Sequence, residues 1–194
     1  MPVDDFQIYL ASQSPRRQEL LQQIGVRFEL IDAEVDESTF PSRTPQEFVL
    51  TLAQAKAKAG YECISSENRP LKPVLGADTC VVIDNEIMGK PANKPDALRM
   101  LSRLSGSTHW VYTGVALYYD GEMNTRISES SVTFATLQPG QIESYWASGE
   151  PADKAGAYAI QGRAAAFITQ MNGSYSGVVG LPLFETVQLL LKQV

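Results

Sequence analysis

Apolar positions along the chain fall either in short continuous runs or in stripes spaced three and four residues apart, which predicts a mixture of strands and helices. The run "FQIYLAS" (6–12) predicts a first strand. The next stretch, "SPRRQELLQQIG" (14–25), predicts a helix, because a serine N-cap precedes Pro15 in the first turn and a glycine follows the last apolar position. "VRFELIDAEVDE" (26–37) predicts a second strand that ends in acidic residues.

The middle of the chain carries the clearest helix and strand signals. "TPQEFVLTLAQAKAKAG" predicts a helix over 44–60, in which Thr44 and Glu47 have the spacing of a capping box and Gly60 ends the helix. "PVLGADTCVVID" (73–84) is almost entirely apolar and therefore predicts a buried strand.

The second half of the chain is richer in strand signals. The predicted elements are a helix over 96–106, a β-rich segment over 109–137 with a hairpin turn at Asp120-Gly121, a helix over 139–149, strands over 155–182 that turn at Asn172-Gly173, and a helix over 183–194. Helices and strands mix without strict alternation. We therefore expect residues 1–194 to form one α/β domain with a long, partly antiparallel sheet.

Composition narrows the classes of partner. The chain has 44% apolar and 20% charged residues, typical of a soluble globular protein, and its net charge is −6. That charge argues against a nucleic-acid polymer as partner, although a few local cations could still hold a small anion. No run approaches about 18 apolar residues and the N-terminus is not typical of a secretory signal, so we expect no membrane segment. The two cysteines lack a C-x-x-C spacing, which fits a reducing cytoplasm.

The segment "ASQSPRR" (11–17) combines hydroxyls and cations at a predicted helix start. Helix N-termini attract anions, and arginine side chains suit phosphate geometry. Arg16 and Arg17 oppose the helix dipole, a cost that a bound anion would offset, with Ser12 and Ser14 as further donors. The alternative is an ordinary Ser-Pro helix start with two solvated arginines.

Asp78 lies inside the predicted buried strand, where a carboxylate is costly unless it is paired or binds a metal. It is therefore either a metal ligand or general base, or a strand-end aspartate that bonds a neighbouring turn. Lys56 lies four residues after Leu52 on the predicted buried face of its helix, and either extends to solvent or points into a cleft. Lys90 follows the Asp78 strand and either faces the same cleft or is a solvated loop lysine.

Three further groups of residues are weaker candidates. Asp36 and Glu37 end the second predicted strand and, with Asp78, would suit a hard cation such as Mg²⁺, unless they are merely solvated. Lys154 and Gln161 flank a run of small residues, where Gln161 either reads a base edge or caps a turn. The single histidine excludes a two-histidine metal site, and no Walker-type phosphate loop is present.

Several motifs in the same order resemble the Maf family of nucleotide pyrophosphatases. They are "ASQSPRRQELL", "GADT" followed by "GKP", "DKAGAYAIQG" and "NGSYSGVVGLP", and they cover nearly the whole chain. "DKAGAYAIQG" is similar to the branch that acts on dTTP and UTP, whereas the 7-methyl-GTP branch typically reads more like "CAGSFKSEG" there.

The resemblance implies an inosine-triphosphatase-like α/β fold, with a long mixed sheet, flanking helices and two lobes around a central cleft. It implies hydrolysis of a nucleoside triphosphate to the monophosphate and pyrophosphate, with a divalent cation, Mg²⁺ or Mn²⁺, as cofactor. It also implies a cytoplasmic homodimer. Two alternatives stay open: a nucleotide-binding inhibitor of septum formation that needs no turnover, and a 7-methyl-GTP-type pyrophosphatase.

The resemblance also implies a role for individual residues. Asp78 matches the family's proton acceptor. The specificity positions are Arg16, Thr79 and Gln161, and the residues at the phosphate end are Ser12, Arg17, Lys56 and Lys90. We add Lys154 as a candidate for substrate binding. Relatives commonly have glutamate where this chain has Asp36, which leaves open whether Asp36 or Glu37 reaches the metal.

Overall fold

The computed structural model describes residues 7–33, 35–36 and 44–193. Within these residues seven strands form one sheet: β1 (Gln7–Ala11), β2 (Arg27–Leu30), β3 (Val74–Ile83), β4 (Glu86–Met88), β5 (Thr108–Tyr119), β6 (Glu122–Phe134) and β7 (Ile168–Asn172). The helices are α1 (Pro15–Gln23), α2 (Pro45–Ser66), α3 (Lys94–Leu104), α4 (Pro139–Ala147), α5 (Tyr175–Val179) and α6 (Leu183–Leu190).

The strand order is β2-β1-β3-β5-β6-β7, with β4 paired to β3. β1 pairs in parallel with both β2 and β3, whereas β3–β4 and β6–β7 are antiparallel. The predicted α/β class with a long, mixed sheet is therefore confirmed.

The chain divides into two compact units, each built from separate segments. The first unit comprises residues 1–78, 113–128 and 180–194, of which the structure describes the parts given above. The second unit comprises residues 79–112 and 129–179.

In the first unit, α2 packs closely on β3 because small residues line the contact. Ala53 and Ala57 are fully buried on α2 and cluster with Ala116 of β5. Gly76 of β3 lies directly beneath the backbone of these alanines, so that a Cβ on Gly76 would be 2.7 Å from the Ala57 nitrogen. A glycine at this position is what allows the helix backbone to approach the strand.

Gly60 packs against the sheet instead of ending the helix, and the predicted boundary was wrong. A Cβ on Gly60 would lie 2.9 Å from Val74 and 3.1 Å from Ile31, so the missing side chain serves close packing. α2 continues to Ser66 and ends before Asn68, whose φ is 53°. The predicted N-cap is confirmed, since the Glu47 N–H donates to Thr44 Oγ1 at 3.2 Å, and this is one of the two bonds of the predicted capping box.

The second unit has its own core, formed where α3 and α4 pack against the sheet. Its buried side chains include Leu101, Leu104, Val132 and Phe134. His109 is buried in this core, where its Nε2 lies 2.8 Å from the Tyr158 hydroxyl and its ring meets Phe134 edge-on.

Two predicted strand segments differ from the structure. The second strand covers only Arg27–Leu30 of the predicted 26–37, of which residues 34 and 37 lie outside the described part. Most of 155–182 is not strand: short 3₁₀ turns precede β7, and α5 follows it. Gly156 and Ala157 have φ of 67° and 58°, which breaks any extended strand there.

The predicted turn at Asn172-Gly173 does not join two strands, because β7 ends at Asn172 and the helix α5 follows. The predicted hairpin turn and the predicted end of the first helix agree with the structure. Asp120 and Gly121 form the β5–β6 turn, both with positive φ. α1 ends at Gln23, just before Gly25, whose φ is 74°. No helix in the described ranges is long and apolar enough to cross a membrane.

Replacing Gly76 by alanine should destabilise the protein by about 2–3 kcal/mol, because the new methyl group meets helix backbone that cannot move aside. Gly140 is a matched control on α4: apart from its chain neighbours and the backbone of its own helix, no atom of the described residues lies within 4 Å of an added Cβ. Gly140→Ala should therefore change stability little or raise it slightly. Urea unfolding of both variants measures the difference. Equal stabilities would contradict this account of the helix–strand contact.

Stability should fall between pH 6.5 and 4 because of His109, the only histidine in the chain. Burial lowers the pKa of His109 from 6.5 to about 4. The unfolded chain therefore takes up a proton that the folded chain still excludes, and stability is lost as the pH falls, by about 3 kcal/mol in total. Unfolding free energies of the wild type and of the double variant His109→Phe/Tyr158→Phe, measured across this range, should diverge towards low pH; parallel curves would refute the assignment.

Candidate active site

The β1–α1 junction brings Ser12 and Arg17 together. The Arg17 guanidinium donates from Nη1 to Ser12 Oγ at 3.0 Å and from Nε to the Gly180 carbonyl at 2.8 Å. The Ser14 N–H donates to the same Ser12 oxygen at 3.3 Å. Ser12 is thus the centre of this junction. The sequence analysis gave Gly180 no individual role, because its contribution is a backbone carbonyl far along the chain.

The start of α1 keeps the features of an anion site. Ser14 is its N-cap and Pro15 follows, as predicted, but within the described residues the Ser14 side chain caps no helix N–H. Arg16 and Arg17 are half-buried in the first turn. The N–H groups of the first turn, the positive end of the helix dipole and two guanidinium groups all favour a bound anion here.

Asp78 and Lys56 form an ion pair in which Asp78 is buried and Lys56 is half-buried. Lys56 Nζ lies 2.6 Å from Asp78 Oδ1, and the two side chains are only 16% and 11% exposed, respectively. Lys56 therefore contacts the carboxylate instead of extending to solvent. The close approach of α2 to β3 at Gly76 sets this geometry, because Lys56 directly precedes Ala57 and Asp78 lies two residues after Gly76.

The strand register places the junction beside this pair. Ala11, the last residue of β1, is the register partner of Gly76 on the parallel strand β3. Ser12 follows Ala11, and β3 continues past this point to Asp78. In parallel sheets, ligands bind where one strand stops and its helix begins. The described structure therefore gathers Ser12, Arg17, Lys56 and Asp78 at one edge of the first unit.

The predicted metal ligands are only partly described. Asp36 is exposed after β2, and Glu37 lies outside the described residues. No group of three or more acidic, histidine or cysteine side chains in the described part could hold a metal by itself. The predicted cluster of Asp36, Glu37 and Asp78 therefore stays a prediction.

The remaining candidates lie in the second unit. Thr79 is half-buried on β3, and Lys90 is exposed in the loop after β4. The Gly156 N–H donates to the Gly89 carbonyl at 3.0 Å, which brings the segments of Lys90 and Lys154 together. Lys154 Nζ contacts the Asp153 carboxylate.

Gln161 is exposed on a turn over residues 159–162, closed by a bond from the Gly162 N–H to the Ala159 carbonyl at 3.0 Å. Two side chains that the sequence did not single out bond the backbone here: Tyr145 bonds Ala159 in the turn, and Glu150 bonds Arg163 just after it. The sequence offered no sign of them, because the contacts join residues 13 and 14 positions apart through non-helical chain.

The profile of the Maf-like protein family matches residues 7–193. The chain belongs to the Maf family. Curated relatives carry the name dTTP/UTP pyrophosphatase. The protein from Alkalilimnicola ehrlichii is 57% identical over 184 residues, covering 94% of this chain and 91% of the relative. The protein from Nitrosomonas europaea is 50% identical over 191 residues, covering 94% and 92%. The family predicted from the sequence motifs is thus confirmed.

Among solved structures, the Staphylococcus aureus Ham1 protein is similar to this chain with a TM-score of 0.44 and 15% sequence identity. The match covers 66% of this chain and 72% of the Ham1 chain.

Replacing Lys56 by methionine should destabilise the Maf protein by about 2–3 kcal/mol, because it removes the ammonium group beside a buried carboxylate. Adding Asp78→Asn should recover at least half of that loss, since neither member of the pair then carries a charge. Lys58 is the control on the same helix: it is 61% exposed, so Lys58→Met should have an effect below about 0.5 kcal/mol. Chemical denaturation measures all four proteins. Additive losses in the double variant would refute the pair.

Proposed function

We propose that this Maf protein is a nucleoside triphosphate pyrophosphatase that hydrolyses dTTP and UTP to the monophosphate and pyrophosphate. The observation that carries the proposal is the Lys56–Asp78 pair beside the Ser12–Arg17 junction. A carboxylate next to an anion-binding helix start suits attack by water on a phosphate. The name shared by relatives at about 50% identity supports dTTP and UTP as substrates.

The triphosphate is held by the β1–α1 junction. Arg16, Arg17 and the first N–H groups of α1 offer positive charge and donors to phosphate oxygens, and Ser12 adds a hydroxyl. The contacts of Arg17 with Ser12 and with Gly180 fix its guanidinium before substrate arrives. Such preorganisation lowers the entropic cost of binding.

Asp78 accepts the proton of the attacking water. The water oxygen forms a bond to the α-phosphorus, the bond from that phosphorus to the bridging oxygen breaks, and pyrophosphate leaves. The Lys56 ammonium stabilises the ionised form of Asp78, which is the form that accepts a proton. The low exposure of the pair strengthens this electrostatic interaction.

A divalent cation, Mg²⁺ or Mn²⁺, fits the donor set as one held mainly by substrate phosphates. Magnesium is commonly bound through one or two protein carboxylates together with phosphate oxygens, and Asp78 is one buried carboxylate. We propose Asp78 with Asp36 or Glu37 as the protein ligands. When bound, such a cation neutralises charge on the leaving pyrophosphate.

Base selection falls to Gln161, with Thr79 and Arg16 as the other specificity positions. The side-chain amide of Gln161 can accept the N3–H of uracil or thymine and donate to a ring carbonyl. Lys90 and Lys154, whose segments are joined by the Gly156–Gly89 bond, are the further candidates for substrate binding. The family resemblance further supports a homodimer in the cytoplasm.

Purified protein with Mg²⁺ or Mn²⁺ should release pyrophosphate from dTTP and UTP faster than from CTP, the purine triphosphates or 7-methyl-GTP, and chelator should abolish the release. Asp78→Asn should lower kcat by about 10²–10⁴-fold while nucleotide binding persists, because only the proton acceptor is lost. Asp120→Asn is the control, since Asp120 lies exposed in the β5–β6 turn, where asparagine fits equally well.

Full activity of Asp78→Asn would remove Asp78 as the proton acceptor. Tight binding of dTTP without turnover of any nucleotide would instead favour the regulatory role. Preferential turnover of 7-methyl-GTP would place the protein in the other branch of the family.

A further inference from the structure

The turn that carries Gln161 is held at both ends by one pair of side chains. The Tyr145 hydroxyl accepts the N–H of Ala159, the first residue of the turn, at 3.1 Å. Glu150 Oε2 accepts the N–H of Arg163, just after the turn, at 3.0 Å. Tyr145 itself donates to Glu150 Oε1 at 2.7 Å. Both ends of the turn are thus joined through one short hydrogen-bonded chain, here called the Tyr145–Glu150 clamp.

The clamp lies in surroundings that make it rigid. Tyr145 is buried at the end of α4, and its ring packs edge-on against Phe167 at 5.3 Å. Burial raises the pKa of Glu150, but hydrogen bonds from the Tyr145 hydroxyl and the Arg163 and Ala164 amides outweigh this and hold the pKa below its ordinary value. The carboxylate therefore stays ionised, and charged acceptors form the stronger hydrogen bonds.

The segment before the turn is conformationally strained. Ala157 is fully buried with a φ of 58°, a region that residues with a side chain seldom adopt. Strain of this kind persists only where surrounding contacts enforce it. The Gly156–Gly89 bond precedes the strained residue and the clamp follows it. The backbone from residue 156 to 163 is therefore fixed at several points.

A fixed backbone matters for base recognition because a glutamine amide can pair with more than one kind of base. Thymine and uracil present an N3–H donor and an O4 acceptor, whereas cytosine presents an N4–H donor and an N3 acceptor at the corresponding places. A side-chain amide that flips, so that its oxygen and its NH₂ group exchange places, can pair with either pattern, since it carries one acceptor and one donor group. Gln161 is exposed, so its position depends on the turn that carries it.

We propose that Tyr145 and Glu150 are positioning residues for base recognition, which hold Gln161 in the orientation that favours thymine and uracil over cytosine. This inference rests on the proposed function, because it takes Gln161 to contact the base. Neither Tyr145 nor Glu150 needs to touch the nucleotide.

The test is the preference for dTTP over dCTP in a double-mutant cycle of Tyr145→Phe and Gln161→Ala. Tyr145→Phe keeps the ring packed against Phe167 but leaves the Ala159 N–H without its acceptor. The ratio of kcat/KM for dTTP to that for dCTP should fall about tenfold. In the Gln161→Ala background the same change should alter the ratio less than twofold, because the residue being positioned is gone.

A matched control separates positioning from general loss of stability. Tyr158→Phe removes another buried phenol hydroxyl of the second unit, whose partner is His109 and not the turn backbone. It should lower the melting temperature and leave the dTTP to dCTP ratio unchanged. Glu150→Gln should behave like Tyr145→Phe. The two carboxylate oxygens of Glu150 accept one bond each, from the Tyr145 hydroxyl and the Arg163 N–H, and in glutamine one of these oxygens is replaced by an NH₂ group that cannot accept.

The outcomes distinguish this inference from the proposed function. An unchanged ratio in Tyr145→Phe, or an equal fall in both backgrounds, would overturn the positioning role while leaving the pyrophosphatase activity standing. If the wild type turns over no nucleotide, calorimetric binding of dTTP and dCTP supplies the same ratio. If the wild type then binds dTTP more tightly than dCTP and Tyr145→Phe abolishes this preference, the positioning role is supported although the proposed activity has failed. Equal binding of both nucleotides by the wild type would overturn the positioning role.

Discussion

A carboxylate buried in an apolar strand is the constraint on which the first unit depends. Asp78 is buried, and an unpaired charge at such a position would be too costly to keep. Lys56 can neutralise it only if α2 lies close to β3, and this closeness requires that position 76 has no side chain. Helix, strand and charge pair are therefore one interdependent arrangement, and not three separate features.

The register of β1 and β3 places the pair beside the β1–α1 junction. Because β1 stops at Ala11 opposite Gly76, the chain leaves the sheet there and begins α1 beside the continuing strand. The backbone carbonyl of Gly180 then orients Arg17 from a distant part of the chain. Ordinary rules of parallel sheets thus place cations, donors and a carboxylate together before any ligand is considered.

Sequence patterns predicted the elements whose signals are local. Ser14, Thr44 and Asp120 were placed correctly because caps and tight turns depend on a few neighbouring residues. Gly60 was misread as a helix end, since a glycine that ends a helix and one that packs against a strand look alike in sequence. The segment around Gly156 was wrongly predicted as strand. Its alanines and aromatic residues gave no sign of the positive φ of Ala157, which only the surrounding fold enforces. The contacts of Tyr145, Glu150 and Gly180 were missed for the same reason: each joins positions that no local pattern connects.

The exposure of Gln161 has a consequence for how such proteins diversify. The backbone bonds of its turn are made to other side chains, while the glutamine itself contributes little to the packed interior. Exchanges at position 161 are therefore nearly free of any folding penalty, in contrast to exchanges at Asp78 or Lys56. On the proposal that Gln161 contacts the base, an exchange at this position can alter nucleotide preference without compensating mutations in the packed interior.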